Sequence, residues 1–396
     1  MIPQEEYPDS FLIINTASSA ERMNSTANTP QKATLQLLGI GSSDDRALMQ
    51  NVRQALEQLS LDMTVEEIRD INAMLEYGIS GIPALLVDDK VIFQKVVPSV
   101  EDIRIVLSVL LGKQESAQEP YQRILVPTDF SEASVNAFRY ARELAVPLGA
   151  HVHLVHIHQP PLDMGGTMVS RQVPDVLQEK EERLAKVISQ KTKLSAKAKK
   201  VSVTSEVIVG FVVDELRRAS AQETDLMVMG MTGDNGLLEK WLGTTATELS
   251  RRAACPVLLI PDRVKYRPPS EIVYASAYAP GEEQLLPGIL GFANYFDATL
   301  HFVHIEEVKS RPTYSVQQVP VFLPHRDQEV RLRLSTVNSK DVLTGLEQYS
   351  TDHESDLLVM ARPRRSAFED FFHRSTTRKM ILQAATPLLI MHYERD

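Results

Sequence analysis

The chain has 396 residues, of which 43% are hydrophobic and 24% charged, and its formal net charge is −10. That length implies two or three domains, and that composition a globular polypeptide rather than a disordered or fibrous one. The acidic balance argues against nucleic acid or an anionic membrane as the main partner. A single cysteine, Cys255, excludes both a disulfide framework within the chain and a zinc-finger cluster. No apolar run is long enough for a membrane span, and the acidic start, MIPQEEYPDS, lacks a signal-peptide n-region. The expected location is the cytoplasm.

Residues 1–33 are polar and rich in Ser, Thr and Asn apart from Phe11-Leu12-Ile13-Ile14, and are expected to form a flexible arm. An α/β unit is predicted over 34–113. Its first strand is Leu35 to Ile40, and the helix that follows, from about Asp44 to Leu59, carries Leu48, Val52, Leu56 and Leu59 at helical spacing. A second strand is predicted at Leu61 to Val65 and a short helix at Glu67 to Met74. Strands at Ala84 to Val87 and Val91 to Val96 flank the turn Asp88-Asp89-Lys90. Ser99, with Asp102 three residues on, starts a last helix to Leu111.

The order β-α-β-α-β-β-α, with GISGIPALLVDDKVIF, resembles the thioredoxin fold, particularly its small glutaredoxin-like members. Ile82-Pro83 matches that family's cis-proline. Where the family's CxxC dithiol should stand, between first strand and first helix, this chain has Ser42-Ser43-Asp44-Asp45. Exchange of disulfides needs a thiolate, which a serine hydroxyl cannot replace. Cys255 lies far away in the apolar run ACPVLLI and is expected to be buried and inert. This unit is therefore expected to be redox-inactive and to serve as a docking or regulatory domain for a protein partner.

After the polar linker 113–120 the chain repeats itself. RILVPTDF (123–130) matches EIVYASAY (271–278), and HLVHI (153–157) matches HFVHI (301–305), both at an offset of 148. DLMVMG (225–230) matches DLLVMA (356–361), and PVLLI (256–260) matches PLLIM (387–391), both at 131. Two ends in register around a 17-residue contraction indicate one ancestral unit with an internal deletion. The first copy's extra material includes an amphipathic helical stretch, Val176 to Leu194. The second copy has no comparable segment between Ile305 and Glu329. Strands alternating with helices imply a parallel, doubly wound sheet in each copy.

In the first copy an apolar strand, Leu226 to Met229, breaks at Gly230. Gly233 follows, then Gly243 with Thr244 and Thr245, and Thr245 with Glu248 has capping-box spacing. Glycines allow a backbone to approach a ligand, and free N–H groups at a helix start attract an anion. Read by itself, the stretch is either a phosphate site or a shaped surface turn. With Val126-Pro127-Thr128-Asp129-Phe130-Ser131 ending the opening strand, both copies resemble universal stress protein domains, over 120–262 and 270–394. That family's motif, Gly, two residues, Gly, nine residues, Gly, then Ser or Thr, is met by Gly230, Gly233, Gly243 and Thr244.

The resemblance implies two domains of the adenine nucleotide alpha hydrolase-like α/β class and an ATP site, with or without Mg. The site residues it implies are Thr128, Asp129, Ile157, Met229, Gly230, Gly233, Gly243, Thr244 and Thr245. Asp129 would hydrogen-bond the adenine or nearby backbone, Ile157 would contact the base, and the glycines and threonines would hold ribose and phosphates. From its own context, Asp129 also reads as a cap of the helix beginning near Ser131. His151 and His153 share one strand face and His156 and His158 the other, so no metal site is expected. No Walker lysine or evident general base apart from Asp129 is present, so binding with at most slow hydrolysis is expected. A hydrolysing or nucleotidyl-transferring enzyme and a ligand-free adaptor are the rival readings.

In the second copy Asp129, Gly230, Gly233 and Gly243 become Ala277, Ala361, Arg364 and Arg374, while Thr244 survives as Ser375. That copy is expected to have lost the site. Arg362, Arg364, Arg365, Arg374, Arg378 and Lys379 read as a solvated face or an inter-domain contact, with another anion site left open. The last strands, Pro256 to Ile260 and Pro387 to Met391, are apolar edges that need covering. By the resemblance they meet antiparallel, pairing the two domains within one chain.

Overall fold

The computed structural model describes residues 33–111, 121–159, 173–190, 194–222, 224–231, 249, 253–279, 281–308, 315–325, 328–363 and 386–393. The N-terminal arm through residue 32, the whole linker 113–120, the glycine-spaced stretch 232–248 and the arginines from Arg364 to Arg378 lie outside the described residues.

The first unit opens with β1 (Leu35–Leu38), buried throughout. α1 (Ser43–Gln58) starts at a capping box: Ser42 Oγ accepts from the Asp45 N–H, and Asp45 Oδ2 accepts from the Ser42 N–H at 2.7 Å. The position that would carry a dithiol is thus used to start a helix. β2 (Val65–Ile68) and α2 (Ile71–Glu76) lie further along the chain than the pattern predicted. β2 is an edge strand whose Glu66 and Glu67 face solvent, which hides it from apolar alternation. α2 waits for Asp70, whose carboxylate accepts from the N–H groups of Asn72 and Ala73. β3 (Ala84–Val87) and β4 (Lys90–Gln94) pair antiparallel, and α3 (Val100–Leu111) closes the unit. The sheet order is β2-β1-β3-β4, with β1–β2 parallel, and the Ile82–Pro83 bond is cis.

The rest of the chain builds one sheet of eleven strands. Its first half contains β5 (Arg123–Pro127), α4 (Glu132–Leu148), β6 (His151–His158), α5 (Val173–Ser189), β7 (Val203–Val209), α6 (Val212–Ser220), β8 (Leu226–Met231) and β9 (Val257–Pro261). The second contains β10 (Glu271–Ser276), α7 (Leu286–Tyr295), β11 (Thr299–Glu307), β12 (Ser315–His325), β13 (Gln328–Ser339), α8 (Val342–Asp352), β14 (Leu357–Pro363) and β15 (Leu388–Tyr393). The halves run β7-β6-β5-β8-β9 and β13-β11-β10-β14-β15, so both read third, second, first, fourth, fifth. All pairings within those two runs are parallel. Where the first half inserts α5 before its third strand, the second inserts β12, which pairs antiparallel with β13 and packs beside β4.

The halves join at β9 and β15, antiparallel, with Val257, Leu258 and Leu259 opposite Ile390, Leu389 and Leu388. All six side chains are buried. The repeated aspartates explain the DL at the start of each fourth strand. Asp225 Oδ2 accepts from the N–H groups of Gln122 and Arg123, each at 2.8 Å, and Asp356 Oδ2 accepts from those of Ser270 and Glu271. Each aspartate ties its fourth strand to the start of the first. Arg142, 1% exposed, donates to the carbonyls of Ile188 and Ala198 and so holds the end of α5 against α4.

The first unit meets the second half through α3. Asp102, whose Oδ2 accepts from the Ser99 N–H at the start of α3, accepts with Oδ1 from the Tyr278 hydroxyl at 2.8 Å. Arg104 pairs with Glu283 at 3.3 Å. Replacing Tyr278→Phe keeps the ring and deletes a hydrogen bond to a charged group, worth roughly 1.5–3 kcal/mol. The expected result is a lower denaturant midpoint and faster proteolysis between the two units. An unchanged midpoint and cleavage rate would show that this bond holds nothing together.

Candidate functional site

In the first half the strand order reverses between β5 and β8, and ligands of such sheets bind beyond the carboxyl ends of the strands at that point. A cavity of about 260 Å³ lies there. Thr128 and Asp129 from the end of β5, Ile157 from β6, and Met229 and Gly230 from β8 all line it. These are the five predicted site residues that the structure describes. Gly233, Gly243, Thr244 and Thr245 lie outside the described residues. The sequence reading missed Val212 and Leu216, which close the cavity from α6, and Met231. Their apolar helical spacing looks the same whether they face a cavity or a core.

The loop 128–134 is held tightly. The Thr128 N–H donates to the Val155 carbonyl at 2.8 Å, and the His156 Nδ1–H donates to the Thr128 carbonyl at 2.8 Å. The Thr128 hydroxyl accepts from the Phe130 N–H and lies 2.9 Å from Ser134 Oγ. Since the Ser134 hydroxyl donates to the Ser131 carbonyl, Thr128 is the donor of that pair. Asp129 Oδ1 accepts from the N–H and hydroxyl of Ser131, at 3.0 and 2.6 Å. Ser131, not Asp129, caps α4, by accepting from the Ser134 N–H. Among the described residues Asp129 Oδ2 accepts no hydrogen bond.

Phe130 has φ of +67°, a left-handed conformation that bulky residues rarely adopt. Its ring packs 4.4 Å from that of His156, and the Arg183 guanidinium sits 4.2 Å from its centre. Gly230 is required by the fold itself. A Cβ there would fall 2.4 Å from the Ala133 carbonyl oxygen and 2.9 Å from the Ser134 nitrogen. The missing side chain lets the first turn of α4 sit against β8, which brings the 128–134 loop to the cavity.

Comparisons with known proteins match the first unit and the first half of the larger sheet. The model of the universal stress protein family matches residues 120–261, and that of the thioredoxin domain matches 39–108. A thioredoxin of Methanothermobacter thermautotrophicus is 32% identical over 74 residues, covering 19% of this chain and 96% of that protein. A universal stress protein of Methanocaldococcus jannaschii is 29% identical over 143 residues, covering 35% of this chain and 82% of that protein. The chain carries a thioredoxin-family domain followed by a universal stress protein domain. For the fold, a universal stress protein structure from Archaeoglobus fulgidus superposes with a TM-score of 0.50 at 15% identity, covering 70% of this chain and all of that one.

The loop that ends β10 has the same frame as the one in the universal stress protein domain. The His304 Nδ1–H donates to the Ser276 carbonyl at 3.1 Å, and the Tyr278 N–H donates to Ser276 Oγ at 3.0 Å. Tyr278 also has positive φ, and its ring lies 4.3 Å from His304. What differs is the interior. Glu282, 3% exposed, accepts from the Tyr274 and Ser276 hydroxyls and from the N–H groups of Ala277 and Ala279. Burial raises its pKa, against those hydrogen bonds, which lower it. In this half the Ser276 hydroxyl and the N–H groups of Ala277 and Ala279 are thus taken up by a glutamate side chain. Arg362 is buried at 7% exposure on β14, so it is not part of a solvated face. Cys255 is buried, as its apolar context implied.

Of the four histidines on β6, His151 and His153 bond Thr204 Oγ1, and His156 points the other way to Thr128. No group of three metal-ligating side chains occurs among the described residues, and no described helix is long and apolar enough to cross a membrane. Burial, and then the nearby Lys180 and Arg183, lower the pKa of His156 against the pull of the Thr128 bond. Its unfolded value is about 6.5. The unfolded chain therefore binds the extra proton first, and His156 removes stability as pH falls through about 6.5 towards its lower folded value. Melting temperature should drop between about pH 7.5 and pH 5.5, and the drop should shrink in His156→Asn. An equal drop in both chains would mean that His156 is not held neutral.

Proposed function

We propose that this chain is an ATP-binding universal stress protein of the cytoplasm, acting as a regulatory or stress-response nucleotide binder. The observation that carries this reading is the convergence of Thr128, Asp129, Ile157, Met229 and Gly230 on one cavity, from which the glycine-spaced stretch continues directly. Asp129 Oδ2 is the acceptor for an adenine amino group, with Ile157 and Met229 as the apolar walls of the base site. The described cavity, about 260 Å³, is at the small end for a ligand site, so it suits base and ribose. The phosphates, alone or with Mg, then belong to Gly233, Gly243, Thr244 and Thr245. Asp129 is the only carboxylate among the described cavity-lining residues, and it is engaged by Ser131, which favours binding over efficient hydrolysis.

The proposed organisation is an N-terminal arm (1–33), a thioredoxin-like interaction domain (34–113), an ATP-binding domain (120–262) and a second, degenerate universal stress protein domain (270–394). The shared strand order and the duplicated loop support the last of these, and Glu282 supports its loss of the site. Calorimetric titration tests the assignment. The wild-type chain should take up one ATP, and Gly243→Arg, which imitates Arg374 of the second copy, should abolish uptake. Bound ATP should add about 2.7 kcal/mol of stability at a hundredfold excess over its dissociation constant. Two ATP per chain, or unchanged uptake by Gly243→Arg, would place the site elsewhere.

The thioredoxin-like domain is proposed to bind a protein partner without redox chemistry, because the chain's one thiol is buried in another domain and a capping box fills the dithiol position. Dithiothreitol-driven disulfide reduction by the full chain should not exceed that of Cys255→Ser. A clear excess would refute the assignment.

A further inference from the structure

A second concavity, about 1230 Å³, lies between α4, α5 and the segment 262–266 that follows β9. It is distinct from the nucleotide cavity, although Phe130 lines it and the neighbouring Asp129 and Ser131 line the other. Five cations border it, Arg139 from α4, Arg183 and Lys186 from α5, and Arg263 and Lys265 from the following segment. None of the five makes an ion pair among the described residues. The chain as a whole has a net charge of −10, so five cations on one groove stand out against it. Three carboxylates also border the groove, Glu132, Glu143 and Asp262. Glu143 is already engaged, accepting from the N–H and hydroxyl of Ser195 at 2.6 and 2.7 Å.

The groove is built rather than incidental. Asn136 Nδ2 donates to the carbonyls of Pro261 and Val264, at 3.3 and 2.9 Å, which fixes the third wall against α4. Tyr140 and Tyr266 meet edge to face at 5.2 Å on its floor. Among the described residues the buried Tyr266 hydroxyl oxygen has no hydrogen-bond partner, a state that costs free energy. Burial pushes the Tyr266 pKa up to about 12, so it remains a donor. Phe130 holds the Arg183 guanidinium over its ring face.

We infer that this groove is a second ligand site, for a small organic anion that carries more than one phosphate group on an aliphatic body and no nucleobase. Cations on three separate elements need several anionic oxygens to reach them all. Three of the five are guanidiniums, whose planar forks match phosphate bidentately. The tyrosine floor, with Val135, Val187 and Val264, receives the body. A nucleic acid is disfavoured by the acidic surface as a whole.

The test uses the full-length chain and inorganic tripolyphosphate, titrated calorimetrically at low salt into wild type and into Gly243→Arg. Both should bind it at this groove, and raising salt should weaken binding. The pairs Arg139→Gln with Lys186→Gln, and Arg263→Gln with Lys265→Gln, should each weaken binding at least about tenfold in the Gly243→Arg background, a loss of ~1.4 kcal/mol. Because the two pairs lie on different elements, a folding defect in one leaves the other decisive. Absence of binding in Gly243→Arg, or binding indifferent to both pairs, would overturn the site. Citrate binding as tightly as tripolyphosphate would overturn its assignment to phosphates. The inference does not rest on the ATP reading, since the two titrations succeed or fail separately.

Discussion

Three residue pairs between β9 and β15 join the two halves of the larger sheet into one. Each half of the eleven-stranded sheet ends in an apolar strand, and an apolar edge with unpaired N–H and C=O groups invites association with other chains. Setting the two edges against each other, Leu258 opposite Leu389, removes both at once. The parallel pairing inside each half then continues through a single antiparallel seam. The cost of that solution is geometric: the halves are related by the seam, so their outer elements are free to diverge. They do so at the third strand, where α5 stands in one half and β12 in the other.

That divergence has consequences for function. α5 supplies one wall of the cationic groove and the guanidinium over Phe130, so the groove belongs to the first half alone. β12 instead brings the second half alongside β4 of the thioredoxin-family domain. Tyr278, the counterpart of Phe130, is turned to a new partner, Asp102. One loop frame thus serves two ends. In the first half it borders a cavity, and in the second it is filled by Glu282 and capped by a neighbouring domain.

Gly230 illustrates how a motif can be legible and its reason hidden. Its spacing to later glycines points to a ligand. Packing gives it a prior duty, since any side chain would strike the backbone of Ala133 and Ser134. Close packing of α4 on β8 sets where Asp129 stands, so the glycine shapes the site from behind. At the matching position the second half has Ala361, and its helix is entered through a 3₁₀ turn, Glu282–Leu285.

Much of this was legible in the sequence. The repeat offsets located the paired strands, because a buried parallel strand must be continuously apolar and such runs survive duplication. Ser99 marked a helix start, since a capping box sets a hydroxyl and a carboxylate at fixed spacing, whereas the same device at Ser42 went unread. The cis proline and the convergence of Thr128, Asp129, Ile157, Met229 and Gly230 followed from family resemblance and strand order. Tertiary structure decided the rest. β2 escaped because an edge strand has no face that must be apolar, and VEEI shows no alternation. The Glu282 plug, the Asp102–Tyr278 joint and the groove floor at Tyr266 are contacts between residues that local pattern does not link. Burial and orphaned hydrogen-bonding groups exist only once the chain is folded, and those are what distinguish the two copies of one loop.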